Sequence, residues 1–391
     1  MPGNEWLQAA FGGARPCNWL LQRGAERLEA VKDAIVFGYD WETANAIERV
    51  ALALARVGVK VLHCDSAASA LKKPDVRLRQ IEPNLFTFKP WVYSHRLNRL
   101  PALPRIQSDM VVRQIFDHAR SLGMEKPVFL YANLGKFLAP MCEAVRQRGC
   151  RPVHVAMDYV ENLSPLHVAQ SDLTLAFSRT LCHRMRAVWG DKIRQVPHGI
   201  DLRPFRNLRA SPENPAAVLS GVPRPRLGYA GAFASDFLNI PLLRELLERR
   251  PDWNFASFQA RTKQSRISPV ATLSNAHSLP WQAPREFAEC VASFDVGLMP
   301  YDCSNTVLYN GPPMKLWDYF ALGTPVVATP LIHLWEYEDL LFLGETAKEL
   351  ERAVETALAE PADSPLRQKR KELAEQHSVE ALGRILRSIL D

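Results

Sequence analysis

Residues 295–329, DVGLMPYDCSNTVLYNGPPMKLWDYFALGTPVVAT, constrain the fold more than any other stretch of the chain. Val296 to Met299 is an apolar run of strand length. Pro312 and Pro313 can open a helix, because the first helical residue needs no amide hydrogen. Gly323 stops that helix, and Pro325 to Thr329 reads as a second buried strand. Strand, loop, helix and strand at this spacing form one unit of a parallel α/β sheet. The helix start then lies at the carboxyl edge of the sheet, where open α/β sheets bind their ligands.

The spacing within that helix carries the chemistry. Met314 and Lys315 fall in its first turn, and Asp318 lies three residues beyond Lys315 on the same face. A helix start and one lysine suit a pyrophosphate, and a carboxylate one turn further in can accept both hydroxyls of a ribose. A solvated Lys–Asp pair on an ordinary sheet-packing helix would read the same way.

The segment PMKLWDYFALGTPVVAT resembles the Pro-x-Lys-Leu-x-Glu-Tyr-x-Ala-x-Gly-x-Pro-Val-Val-Ala-Thr stretch of GT-B glycosyltransferases in the polysaccharide-building branch of retaining family four. Its Met-Lys pair is also similar to the xanthan-type glucuronosyltransferase. The resemblance implies an α/β, GT-B fold: two Rossmann-like, doubly wound parallel-sheet domains with a cleft between them. It implies a nucleotide-activated sugar, a UDP-sugar above all, as substrate, with no separate cofactor. The ribose acid of the family lands on Asp318. Its upstream acidic partner lands on Asn310, a departure, with Gly311 next to it. No Asp-x-Asp occurs in the chain, so the metal-bridged diphosphate of the other major glycosyltransferase fold is not expected, and no metal ligand is assigned.

The rest of the chain supplies the other parts. Ala34 to Phe37 reads as a strand, followed by a turn at Gly38 to Trp41 and an amphipathic helix from Thr43 to Arg56, closed by Gly58. In relatives the loop after this strand faces the cleft. Gly38 would allow close backbone approach and Asp40 would touch donor or acceptor, or else help cap the helix. Further strands are expected at Leu85–Phe88, Val128–Tyr131, Val153–Met157 and Leu173–Phe177. Asp158 follows one of them. Resemblance makes it the general base, or a charge beside the reacting carbon, with Glu161 as a second acid and Met157 where many relatives carry His. A cap on the next helix is the rival reading for Asp158. Tyr-Ala-Gly231-Ala232 ends a later strand, and resemblance lets Gly231 and Ala232 offer backbone to the phosphates. The Arg and Lys that many relatives place just after it are absent, so positive charge must come from Lys315, the helix dipole, or Arg261 and Lys263. Trp281 would stack on the base or be buried, and Tyr301 would border the same pocket.

Residues 89–120 differ in character: six Lys and Arg stand against two Asp, interleaved with Trp91, Tyr93, Leu97 and Leu100. That mixture suits an anionic membrane surface or a pyrophosphate-linked acceptor, or an ordinary packed loop and helix. The overall balance of +6 is too mild and too mixed for nucleic acid. Seven cysteines without a C-x-x-C pair point to reduced thiols rather than a disulfide framework or zinc site. No apolar run is long enough to span a bilayer, so a cytoplasmic protein is expected, with contact at the inner face of the membrane through residues 89–120.

The domain reading is a helical extension over 1–32, an acceptor domain over 33–205, a linker over 206–223, and a nucleotide-sugar domain over 224–365. A helix within 366–391 crosses back to the first domain. The function expected is transfer of a sugar (hexosyltransferase-type) from a nucleotide diphosphate donor to a glycan or lipid-linked hydroxyl, in polysaccharide or glycoconjugate biosynthesis. The alternatives are a catalytically silent GT-B-like binding partner and a nucleotide-sugar epimerase.

Overall fold

The apolar strands and amphipathic helices resolve into two parallel sheets. The structure, a computed structural model, describes residues 31–41, 46–72, 75–100, 102–132, 134–157, 164–232, 237–259, 270, 272–304 and 313–391. The extension expected over 1–32 lies outside these except for its last two residues.

The first half contains β1 (Asp33–Phe37), β2 (Lys60–Cys64), β3 (Ala68–Ser69), β4 (Arg79–Glu82), β5 (Leu85–Phe88), β6 (Trp91–Val92), β7 (Val128–Tyr131), β8 (Pro152–Ala156), β9 (Leu173–Ala176) and β10 (Ile193–Gln195). Eight of them form one sheet in the order β10-β9-β8-β7-β1-β2-β5-β4, while β3 and β6 pair separately. Among the described residues of that sheet, only the β4–β5 hairpin at the edge is antiparallel. The second half contains β11 (Arg226–Ala232), β12 (Asn254–Phe258), β13 (Ala276–Leu279), β14 (Val296–Met299), β15 (Val326–Ala328) and β16 (Phe342–Leu343). Their order, β13-β12-β11-β14-β15-β16, is that of a doubly wound Rossmann sheet. Each sheet grows outward from a central first strand. The direction of winding therefore reverses between β1 and β7, and again between β11 and β14.

The helices follow from local rules. Ala46–Arg56 buries Ile47, Val50, Ala51 and Leu54 and ends at Gly58, whose φ of +88° closes the last turn. Ile240–Arg249 starts where the Asn239 side chain accepts from the Leu242 amide at 3.1 Å. Thr346 and Glu349 form a capping box for Ala347–Leu358. One expectation needs correction. The helix expected from Pro312 begins at Lys315, with Met314 as its cap, so Pro313 stands before the helix rather than in its first turn. Beyond β15, Ile332–Leu340 is a pair of 3-10 turns, broken at Tyr337 by a φ of −123°.

The chain passes between the halves twice, and the two passages lie side by side. The Ile200 amide donates to the His377 carbonyl at 2.8 Å, and the Val379 amide donates to the Ile200 carbonyl at 2.9 Å. Helix Val379–Leu390 then packs on Ala46–Arg56. The approach is so close that a Cβ on Gly383 would lie 2.3 Å from the Ala53 carbonyl oxygen. Arg56 ties the crossing together through Asp201 at 2.9 Å and Glu380 at 3.1 Å. Burial opposes ionisation of Asp201, but hydrogen bonds from Arg56 and Arg203 outweigh it and hold the carboxyl far below its usual range.

Candidate active site

The Lys315–Phe320 helix follows β14 and leads back to β15, so its start lies at the β11/β14 reversal. Its seat depends on glycines. The Tyr319 hydroxyl donates to the Gly228 carbonyl at 2.8 Å and accepts from the Ala230 amide at 2.6 Å, which pins the helix to β11. The Tyr319 ring lies over Gly297, where a Cβ would come within 2.6 Å of it. The Lys315 side chain crosses Gly231: a Cβ there would fall 2.0 Å from Cε and 3.1 Å from Nζ. The Lys315 ammonium ends 5.2 Å from the centre of the Tyr229 ring. It has no hydrogen bond or ion pair among the described residues. A half-buried cation therefore waits over a glycine, at the edge where the sheet reverses direction.

Asp318 sits one turn further in. Burial pushes its carboxyl up to about 6, and the charges of Arg49 and Lys315 pull in the opposite direction. This is not a solvated Lys–Asp pair, since no ion pair joins the two among the described residues. Arg49, on the Ala46–Arg56 helix of the first half, is the residue the sequence reading missed. Its guanidinium Nη1 is buried without a hydrogen-bond partner among the described residues. Burial lowers its pKa, and Asp318 is the foremost of the carboxylates that oppose the shift. The signal was available: Arg49 sits between Ala46 and Ala53 on a stripe that the helix buries, where a charge is out of place. Met314 also bridges the halves, since it packs against the apolar core of the first sheet.

The other expected site residues divide. Gly231 and Ala232 end β11 beside Lys315. Trp281 follows β13 and is 47% exposed, so the buried reading does not apply to it. Tyr301 packs behind Tyr229, the ring that the Lys315 ammonium faces. It is 2% exposed, with its ring edge-on to Tyr229 at 6.3 Å, and its backbone bridges Leu238. Gly38 lines a cavity in the first half, away from the lysine helix. Asp40 lies near it, paired with Lys89 and accepting from the Ser66 amide at 3.1 Å. Asp158, Glu161, Asn310, Gly311, Arg261 and Lys263 lie outside the described residues. β8 ends at Ala156, one residue earlier than expected. His198 is buried and stacks on Phe177 at 5.8 Å, consistent with a structural role.

Solved structures share this architecture over nearly the whole chain. Sucrose-phosphate synthase from Thermosynechococcus elongatus is 14% identical, with a TM-score of 0.65 over 92% of this chain and 98% of that one. HepE from Anabaena in complex with UDP-glucose is also 14% identical, with a TM-score of 0.65 over 92% and 99%. The E. coli trehalose-6-phosphate structure bound with UDP-2-fluoro glucose gives 11% and 0.62 over 92% and 98%. The chain has the GT-B fold. By sequence it is similar to TuaH of Bacillus subtilis (strain 168), whose name assigns it as a teichuronic acid biosynthesis glycosyltransferase, with 24% identity over 197 residues. That match spans 47% of this chain and 47% of TuaH, about half the length of the curated relative. No protein-family model matches the sequence. Among the described residues no group of three or more His, Cys, Asp or Glu is placed to hold a metal ion, and no helix is long and apolar enough to cross a membrane.

Proposed function

We propose that the chain is a glycosyltransferase that binds a UDP-sugar in its second half and transfers the sugar to a hydroxyl of an acceptor held by the first, residues 33–205. The observation that carries this reading is the uncommitted Lys315 ammonium laid over Gly231, one turn from a desolvated Asp318. A diphosphate placed there meets a cation and the positive end of a helix, and Asp318 accepts from the ribose. Negative charge grows on the diphosphate as the sugar leaves. Fixed positive groups then stabilise the transition state more than the ground state, and metal need not supply that charge. Asp158 is the proposed general base. The HepE complex with UDP-glucose and the trehalose-6-phosphate structure bound with UDP-2-fluoro glucose support the choice of donor.

The acceptor is proposed to be a glycan or lipid-linked glycan in polysaccharide biosynthesis, met at the inner face of a membrane. Tyr93, Leu97, Leu100 and Ile106 are exposed beside Arg96 and Arg99, a mixture that suits the interface of an anionic bilayer. Calorimetry of the full chain with UDP, GDP and dTDP tests the donor site: UDP should bind, and Lys315→Ala should weaken it at least tenfold. Failure of all three nucleotides to bind would overturn the reading. Asp158→Asn should abolish transfer while UDP still binds; binding of UDP-sugars without turnover by the native chain would favour a silent binding partner.

A further inference from the structure

The first sheet also reverses direction, between β1 and β7, and a cavity of about 480 Å³ lies at that point. Loops that follow three adjacent parallel strands build it: Gly38 after β1, Ser66 after β2, and Leu134 to Phe137 after β7. Its fourth wall is the 3-10 turn His95–Arg99 from the basic, aromatic segment. Arg99 and Lys136 therefore reach one cavity from two separate elements.

The charge around this cavity is one-sided. Among the described residues no carboxylate lines it. The nearby acid, Asp40, is taken up by Lys89 and by the Ser66 amide. Arg99 has no hydrogen bond or ion pair among the described residues. Among the described residues the Lys136 ammonium makes one hydrogen bond, to the Asn98 carbonyl at 3.2 Å, which leaves two of its three hydrogens for a ligand. His95 is held in the wall by a 2.8 Å hydrogen bond between its Nε2 and the Ala67 carbonyl. The turn at Gly135–Phe137 runs into helix Leu138–Arg146, so the positive end of that helix adds to the same potential. Elsewhere in the segment, Arg105 pairs with Glu143 and Arg120 with Asp117, whereas Arg99 is turned to the cavity.

We propose that this cavity is the subsite for a doubly charged phosphate group on the acceptor: a sugar phosphate monoester or the pyrophosphate diester of a lipid-linked sugar. Two cations without an acid balance a dianion, whereas a uronic acid carboxylate would leave one cation unmatched. A guanidinium and an ammonium on different loops suit the separated oxygens of a phosphate. The assignment rests on the reading that the first half holds the acceptor.

The test uses the full chain saturated with UDP, so that the diphosphate site is already filled. Calorimetry then compares glucose 6-phosphate, glucose and glucuronate, and vesicle sedimentation compares neutral vesicles with and without a polyprenyl diphosphate sugar. Phosphate-dependent binding in either arm supports the subsite, and the arm that responds identifies a soluble or a lipid-borne source. In the responding arm, Arg99→Gln and Lys136→Gln should each weaken the phosphate ligand at least tenfold, with UDP affinity within twofold of the native chain. Both residues are exposed, so the thermal midpoint should stay unchanged. Equal binding of glucose, glucuronate and glucose 6-phosphate with no vesicle response, or variants that bind phosphate as well as the native chain, would overturn the proposal. If UDP itself does not bind, the donor reading fails instead, a result visible before any acceptor is added.

Discussion

Gly231→Ala is the most telling single change, because one methyl group should separate the site from the fold. The added Cβ would lie 2.0 Å from Lys315 Cε. Ordinary carbon contacts are about 3.5–4.0 Å, so Cε must move by roughly 1.5–2 Å. Cε is near the end of a flexible side chain, and the fold can yield there for about 1 kcal/mol or less. The ammonium cannot then keep its place. A hydrogen bond to a charged group contributes about 1.5–3 kcal/mol, so UDP affinity should fall by roughly 10- to 100-fold. Calorimetry of Gly231→Ala, Lys315→Ala and the double variant decides the cause. With no Cε left to displace, the glycine change should add at most about 0.5 kcal/mol on the Lys315→Ala background. Losses that simply add would show that the methyl acts on the nucleotide directly, and unaltered UDP affinity in Gly231→Ala would refute the site. Gly228→Ala is the control. Its Cβ would also meet a neighbour at 2.0 Å, but that neighbour is the buried ring of Phe294, which has nowhere to go. Stability should fall by about 3 kcal/mol in urea unfolding.

Three further outcomes follow from the charges. With its carboxyl raised to about 6 by burial, Asp318 gains a proton as pH falls through 6. UDP-glucose affinity should then drop by up to tenfold per pH unit below that point, while Asp318→Asn gives weak, flat binding; a native profile flat to pH 5 would contradict the assignment. The same shift works against the fold. Because the folded pKa lies above the unfolded value of about 3.9, the ionised acid destabilises the native state above pH 6. Asp318→Asn should accordingly raise the thermal midpoint at pH 7.5, with the gain gone by pH 4. Arg49 helps keep Asp318 ionised, so Arg49→Met should move the UDP-glucose profile to higher pH; an unmoved midpoint would show that the two do not interact.

Much of this arrangement was legible because it is local. The strands flanking residues 300–325 and the glycine stop at Gly323 are set by neighbours in sequence, and the structure keeps them. What escaped depends on which elements meet. Nothing local to Gly231 states that a lysine 84 positions later will lie across it. Arg49 stands out on its buried stripe, but nothing local to it names Asp318 as the acid it faces. Nothing local to Tyr301 states that its ring will meet Tyr229, 72 positions earlier. Short edge strands such as β10 and β16 carry too few residues to show a period of two.

The packing of Val379–Leu390 on Ala46–Arg56 also governs how such a chain can be made. The Arg387 guanidinium meets the Val57 carbonyl across 330 positions of sequence, so the first half emerges from the ribosome long before its partner helix exists. During that interval the groove beside Ala53, shaped to admit Gly383, stays open to water and to other chains. Closing that flank is the task of residues 379–390, the last helix to leave the ribosome.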